Sequence, residues 1–199
     1  MLFRSDDSAS IRAKLKEGAR VVVIGGGFIG LETAASARKR GCSVTVIEAA
    51  DRLMGRALAP EIGEYFAALH RSKGTEVRLK TTLLHFEGDG KLERVVFPDG
   101  RSIPADLCVV GIGITPNIEL AAEAGLDVHN GVVVDDRGRT SDPNIFAVGD
   151  VANQPNAFLG RRVRLESYQN AQDQGMLVGR NMAGADERYE DRQIGRAHV

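Results

Sequence analysis

The feature that most constrains this chain is a run of glycines set between two apolar segments. Residues 20–34 read Arg-Val-Val-Val-Ile-Gly-Gly-Gly-Phe-Ile-Gly-Leu-Glu-Thr-Ala, and residues 43–48 read Ser-Val-Thr-Val-Ile-Glu. Val21 to Ile24 is short, β-branched and uninterrupted, which suits a buried parallel strand. Gly25, Gly27 and Gly30 then fill the three glycine positions of a dinucleotide-binding turn. Gly25 permits the tight turn, Gly27 lacks the Cβ that would hold a pyrophosphate off the backbone, and Gly30 lets the helix pack on the strand. Phe28 and Ile29 open that helix, whose free N–H groups and positive end suit phosphates. Lys39 and Arg40 fall in its last turn, and Gly41 suits a left-handed terminator. Glu48 closes the second strand at roughly the spacing of 20 residues expected of a ribose-binding carboxylate. Such a carboxylate accepts hydrogen bonds from a 2′-hydroxyl and repels a 2′-phosphate, so the reading is NAD rather than NADP.

With 199 residues the chain has room for one large or two small domains. A hydrophobic share of 43% and a charged share of 27% belong to a globular protein in water. The formal net charge of −1 gives no global field that would favour nucleic acid or a membrane surface. Without a long apolar run or a secretory signal, the expected compartment is the cytoplasm. Cys42 and Cys108 are far apart in sequence and read as buried thiols, while His70, His85, His129 and His198 lack ligand spacing, so no metal site is expected.

Taken in order, residues 1–19 form a lead-in with a short helix over Ser10–Lys16, closed at Gly18. After Glu48, Arg52 either covers an adenosine or faces solvent, with solvent preferred. Pro60 to about Ser72 is an amphipathic helix carrying Ile62, Tyr65, Phe66 and Leu69 on one face, and Glu76–Leu79 is a third strand. Thr81–Glu87, Leu92–Phe97 and Arg101–Ile103 are short strands separated by Gly-Asp-Gly and Pro-Asp-Gly turns, an inserted antiparallel meander. Asp106–Val110 suits a central strand and leads into Gly111-Ile-Gly113, where glycines again allow close approach to a ligand. Glu119–Ala124 is a short helix and Gly131–Asp135 a strand. Ile145–Val148 reads as a buried strand delivering Gly149 and Asp150 at its carboxyl end, where ligands of open α/β sheets sit. From Arg164 a long helix is expected to reach about Met182. The Arg161, Arg162 and Arg164 cluster reads as a solvated loop or, less favoured, a face for an acidic partner.

The ordered set GGGFIG, Glu48, GIGITPN, TSDPNIFAVGD and RLESYQNAQDQG resembles the FAD-dependent pyridine nucleotide-disulfide oxidoreductases, in the branch of the NADH-dependent ferredoxin and rubredoxin reductases. The resemblance implies an α/β fold: a Rossmann-like FAD/NAD(P)-binding domain with an inserted antiparallel β-meander, followed by the second half of an FAD-binding domain. Its expected boundaries are 1–19 as a lead-in from an upstream FAD-domain half, 20–114 for the NAD(H) domain, and 115–192 for the FAD-domain half. Residues 193–199 resemble a translated sequencing adapter and are expected to be a non-native tail.

The resemblance also implies roles. Gly25, Gly27 and Gly30, with Phe28 and Ile29, match the pyrophosphate turn, and Glu48 matches the ribose carboxylate. Glu32 matches an acidic residue near the nicotinamide amide, and Gly113 a backbone contact with the bound nucleotide. Gly149 and Asp150 match the site of the FAD ribityl chain; Glu166, Ser167, Tyr168 and Gln169 match the segment beside the flavin's pyrimidine ring. The implied activity carries hydride from NADH to FAD and then single electrons to an iron–sulfur acceptor, a ferredoxin or rubredoxin. No side-chain nucleophile is required. An NAD/FAD-binding sensor resembling apoptosis-inducing factor, or an enzyme similar to NADH oxidase or dihydrolipoamide dehydrogenase, stays open as an alternative. The first FAD glycine turn and the C-terminal interface domain of such proteins are not in these 199 residues, so the chain reads as a fragment. Oligomeric state is not legible.

Overall fold

The computed structural model describes residues 5–189 and 197–198. They fall into two compact units, residues 1–113 and 114–199. In the first, strand β1 (Arg20–Ile24) is the organising element, flanked in parallel by β2 (Ser43–Ile47) and β7 (Leu107–Val110). With β3 (Glu76–Arg78) the sheet order is β3-β2-β1-β7. Alternation along β1 divides the core. Val21 and Val23 pack with Leu31, Ala34 and Ala37 of helix α2 (Phe28–Lys39), whereas Val22 packs with Ile47, Val95 and Phe97 on the opposite face. Each such fully buried valine stabilises the fold by roughly 1.5–3 kcal/mol.

That opposite face is covered by the meander β4 (His85–Glu87), β5 (Arg94–Val96) and β6 (Ser102–Pro104), paired antiparallel in that order as its turn residues predict. Strand β7 differs from expectation: among the described strands it is an edge, hydrogen-bonded to β1 alone. Helix α1 spans Ser5–Lys14 rather than Ser10–Lys16. Asp6 and Asp7 lie in its first described turn and Arg12 and Lys14 in its last, as the helix dipole favours. Helix α2 ends as predicted, with Gly41 at φ +79°.

Helix α3 (Pro60–Ser72) has the predicted bounds, but its apolar residues divide: Phe66 packs against the core, while Ile62, Tyr65 and Leu69 are exposed. Ile62 is 44% and Tyr65 61% exposed, while Gly63, Ala67 and His70 are buried. The reason is close approach. A Cβ on Gly63 would lie within 3.0 Å of the Leu53 carbonyl oxygen, so only the small-residue face fits against residues 52–54.

The second unit contains α4 (Glu119–Glu123), β8 (Val132–Val133), β9 (Ala152–Asn156), β10 (Arg161–Leu165), α5 (Tyr168–Met182) and β11 (Ala197–His198), with sheet order β11-β10-β9-β8. Three expectations are corrected. Residues 145–148 are not a strand: among the described residues their only β pairing is the isolated bridge Phe146–Arg139, and Ile145 is exposed. A parallel strand needs ladder partners along its length, and here only the 138–140 turn runs beside it. Arg164 and Leu165 belong to β10 rather than to a helix, which starts at Tyr168. Val163, Arg164 and Leu165 are buried, whereas Arg161 and Arg162 are exposed. Arg162 donates to the Val134 and Asn153 carbonyls from the surface, so the three arginines lie on a strand rather than a loop, with Arg164 turned inward. Of residues 193–199 only Ala197 and His198 are described; the expectation about that tail otherwise lies outside the described residues.

Candidate functional site

The three glycines of the turn do different things. Gly25 sits at φ +103°, donates its N–H to the Ile47 carbonyl at 2.8 Å, and is buried where β1, β2 and β7 end. A Cβ there would come within 3.0 Å of the Gly111 carbonyl oxygen; one on Gly30 would come within 3.0 Å of the Gly25 carbonyl oxygen. Both glycines are required by the fold itself. Gly27 is not. It caps α2 with φ −84° and ψ −173°, backbone angles any residue adopts, and a Cβ there would meet nothing within 4 Å. Protein contacts give no reason for a glycine at that position. A ligand lying against the turn does, because the Cβ would project into its space.

Glu48, half-buried at the end of β2, is held from two sides. Its Oε2 accepts the Gly26 N–H at 2.7 Å and its Oε1 accepts the Ala50 N–H at 2.8 Å. An ionised carboxylate has about four acceptor positions, so two bonds leave it able to accept ribose hydroxyls. Phe28 packs against the core, while Ile29 and Glu32 are exposed on the first turns of α2. Arg52 does not face solvent as preferred from sequence. It is half-buried, its guanidinium donates to the Gly55 carbonyl at 3.1 Å, and its Nε is buried without a hydrogen-bond partner. Gly113 is exposed at φ +122°, and Arg56 brings a guanidinium nitrogen to 3.6 Å from where a Cβ on Gly113 would stand. No spacing rule singles out Arg56, which lies in an irregular loop.

In the second unit, Gly149 and Asp150 begin a 3₁₀ turn, Gly149 buried at φ +73° and Asp150 exposed. Arg164, only 3% exposed, spans from the Asp150 carbonyl at 3.0 Å to Glu166 Oε1 at 2.7 Å. Ser167 is the N-cap of α5, Tyr168 its exposed first residue, and Gln169 bonds Asp173 at 2.8 Å. A chain of buried amides underlies these groups. The Gly149 N–H donates to Gln174 Oε1 at 2.6 Å, Gln174 to Gln154, Gln154 to Asn170 at 3.3 Å, and Asn170 to the Leu165 carbonyl at 3.2 Å. The network therefore ties the Gly149–Asp150 turn to the end of β10 and the start of α5. Sequence reasoning missed it because isolated Gln and Asn residues carry no pattern.

Comparison with known proteins decides the family. The sequence profile of the pyridine nucleotide-disulphide oxidoreductases matches residues 2–175. The chain belongs to that family. It is 46% identical over 185 residues to the ferredoxin–NAD(+) reductase component of the anthranilate 1,2-dioxygenase system of Burkholderia cepacia, covering 93% of this chain and 46% of that protein. It is also 46% identical over 180 residues to a rubredoxin–NAD(+) reductase of Pseudomonas putida, covering 90% and 47%. The solved covalent putidaredoxin reductase–putidaredoxin complex matches with a TM-score of 0.89 at 41% identity, over 94% of this chain and 46% of that one. The chain thus spans less than half the length of these oxidoreductases.

Within this family member the sequence-predicted residues fall into two groups. Gly25, Gly27, Phe28, Ile29, Gly30, Glu32, Glu48, Arg52 and Gly113 lie in the first unit, where the ends of β1 and β2 bring the glycine turn beside Glu48. Gly149, Asp150, Glu166, Ser167, Tyr168 and Gln169 lie in the second, joined through Arg164 and the amide chain. Among the described residues no cluster of three or more His, Cys, Asp or Glu side chains is arranged to hold a metal, and no helix is long and apolar enough to cross a membrane.

Proposed function

We propose that this chain carries the NADH site, and part of the FAD site, of a flavin-dependent reductase serving an iron–sulfur acceptor of the ferredoxin or rubredoxin type. The observation that carries the reading is Gly27: a glycine the fold does not require, at the mouth of a turn whose other glycines it does. When bound, NADH and FAD together supply the hydride and electron chemistry. The chain's own residues bind and orient. The N–H groups at the start of α2 face the pyrophosphate, and Glu48 takes the adenosine ribose and disfavours a 2′-phosphate. Glu32 serves the nicotinamide amide, and Gly113 offers a backbone contact to the bound nucleotide. Asp150 accepts from the ribityl hydroxyls, and the positive end of α5 behind Glu166–Gln169 favours negative charge on the flavin ring. The iron–sulfur partner is supported by the relatives' names and by the putidaredoxin complex. We read the protein as cytoplasmic; its two cysteines, both free thiols, support this.

The binding half is tested on this chain by titrating NADH and NADPH and following nucleotide fluorescence. Glu48→Arg is expected to weaken NADH and relax the preference toward NADPH; an unchanged ratio removes Glu48 from the ribose site. The electron-transfer half is tested on the complete protein. NADH oxidation with no reduction of a ferredoxin, a rubredoxin or an artificial acceptor refutes it.

A further inference from the structure

The second glycine of the Gly25-Gly26-Gly27 run is a position that the dinucleotide fingerprint leaves open. In this fold it is not free. The Gly26 N–H is one of the two donors that hold the Glu48 carboxylate, at 2.7 Å from Oε2. Its carbonyl accepts the Met54 N–H at 2.9 Å, which pins residues 53–54 across the same turn. Gly26 is buried, and a Cβ added to it would come within 3.0 Å of the Leu53 side chain and stand 3.1 Å from Glu48 Oε2. Leu53 can yield only by turning its side chain to another rotamer inside the core, where it is fully buried. The carboxylate must give by a few tenths of an ångström, which stretches and misaligns its bond to the Gly26 N–H while its other oxygen stays tied to Ala50.

We infer that Gly26 is a specificity-determining residue acting through Glu48: its bare Cα and its N–H together fix the carboxylate that discriminates a ribose 2′-hydroxyl from a 2′-phosphate. This rests on the NADH reading above and adds the positioning residue on which the preference depends. A carboxylate held by two backbone donors keeps one orientation before ligand arrives, so no side-chain ordering is needed at binding. Without the donor and the space at Gly26, Glu48 samples other rotamers and its discrimination falls.

The test uses this chain, with NADH and NADPH affinities measured separately on four proteins: the parent, Gly26→Ala, Glu48→Ala and the double variant. Gly26→Ala is expected to lower the NADH-over-NADPH preference by about tenfold, the value of one charge-assisted hydrogen bond. In the Glu48→Ala background the same substitution should leave the ratio unchanged, since a merely steric effect on the turn weakens both nucleotides alike. If Gly26→Ala keeps the parent ratio, or shifts it equally with and without Glu48, the inference is wrong and the NADH reading survives. If the parent itself shows no preference for NADH, the NADH reading fails and takes the inference with it. Should Gly26→Ala fail to fold, amide NMR of the parent and Glu48→Gln proteins reads the same contact. The Gly26 amide proton is expected to move upfield on loss of the carboxylate, and an unmoved resonance overturns the proposal.

Discussion

Alanine at Gly27 and alanine at Gly30 should separate ligand binding from folding, although both change one hydrogen to a methyl within one turn. At Gly30 the new Cβ would stand within 3.0 Å of the Gly25 carbonyl oxygen, a backbone atom that no rotamer can move. Overpacking of this kind costs roughly 3 kcal/mol at the upper end, and the better helix propensity of alanine returns about 1 kcal/mol. The net loss is then about 2 kcal/mol, a large share of a stability that totals only about 5–15 kcal/mol. At Gly27 the Cβ meets nothing, and the backbone angles suit alanine. A poorer N-cap costs a few tenths to about 1 kcal/mol, and the reduced entropy of the unfolded chain returns about 0.4–1 kcal/mol, so stability should barely change. Binding should change. A pyrophosphate held off the helix N-terminus forfeits at least one charge-assisted hydrogen bond, about 1.5–3 kcal/mol, or roughly ten- to a hundredfold in Kd. Urea unfolding measures the first quantity and NADH titration the second. The reasoning is refuted if Gly27→Ala binds NADH as the parent does, or if it unfolds as readily as Gly30→Ala.

Other consequences follow from the same geometry. Asp106 is bonded by the guanidinium and backbone N–H of Arg20, which hold its carboxyl at about 2, below the ordinary value of roughly 3.9. A depressed folded-state value adds stability above the unfolded one, and that stability is lost as pH falls through about 2. The pair is nearly half exposed, so the effect is modest: Asp106→Asn should lower the unfolding midpoint by a constant amount above pH about 4, with the gap closing in stronger acid. A gap independent of pH would refute the pairing. Burial pushes the Cys108 thiol up to about 11 and raises Cys42, which also lies 3.2 Å from the Lys16 carbonyl. Neither should be alkylated readily at neutral pH until the chain unfolds; one fast-reacting thiol in the native protein would contradict this. Gln174→Leu removes partners from the Gly149 N–H and from Gln154, at roughly 1–3 kcal/mol for each group left unsatisfied. Unfolding of residues 114–199 should shift accordingly, and an unchanged midpoint would mean the amide chain is not formed.

Much of the first unit is legible in the sequence because its signals are local. The β-branched run at Val21–Ile24, the glycine turn, Pro60 at a helix start and the Gly/Asp turns of the meander each act through neighbouring residues. What failed depends on contacts distant in sequence. Ile62, Tyr65, Phe66 and Leu69 read as one face of α3, yet Gly63 brings the helix so near residues 52–54 that of these four Phe66 alone packs against the core. Ile145–Val148 has strand composition, but composition does not supply hydrogen-bonding neighbours, and here few are present. Arg164 reads as polar and hence as surface; its burial becomes tolerable through Glu166, the Asp150 carbonyl and the Asn130 side-chain oxygen.

The glycine run shows why a motif match and a functional site are different things. Gly25 and Gly30 satisfy the fingerprint for reasons internal to the fold: each faces a backbone carbonyl that leaves no room for a Cβ. Any βαβ unit with this packing would keep them, whether or not it bound a nucleotide. Gly27 satisfies the fingerprint without a structural cause, and so it is the position that argues for a ligand. Gly26 lies outside the fingerprint and holds the residue that would choose between ligands. One letter repeated across six positions thus covers packing and, on the proposed reading, binding and selectivity, and only the surroundings of each Cα separate them. Substitutions at 25 and 30 should report on folding, one at 27 on nucleotide binding, and one at 26 on both, since a Cβ there also meets the buried Leu53 side chain.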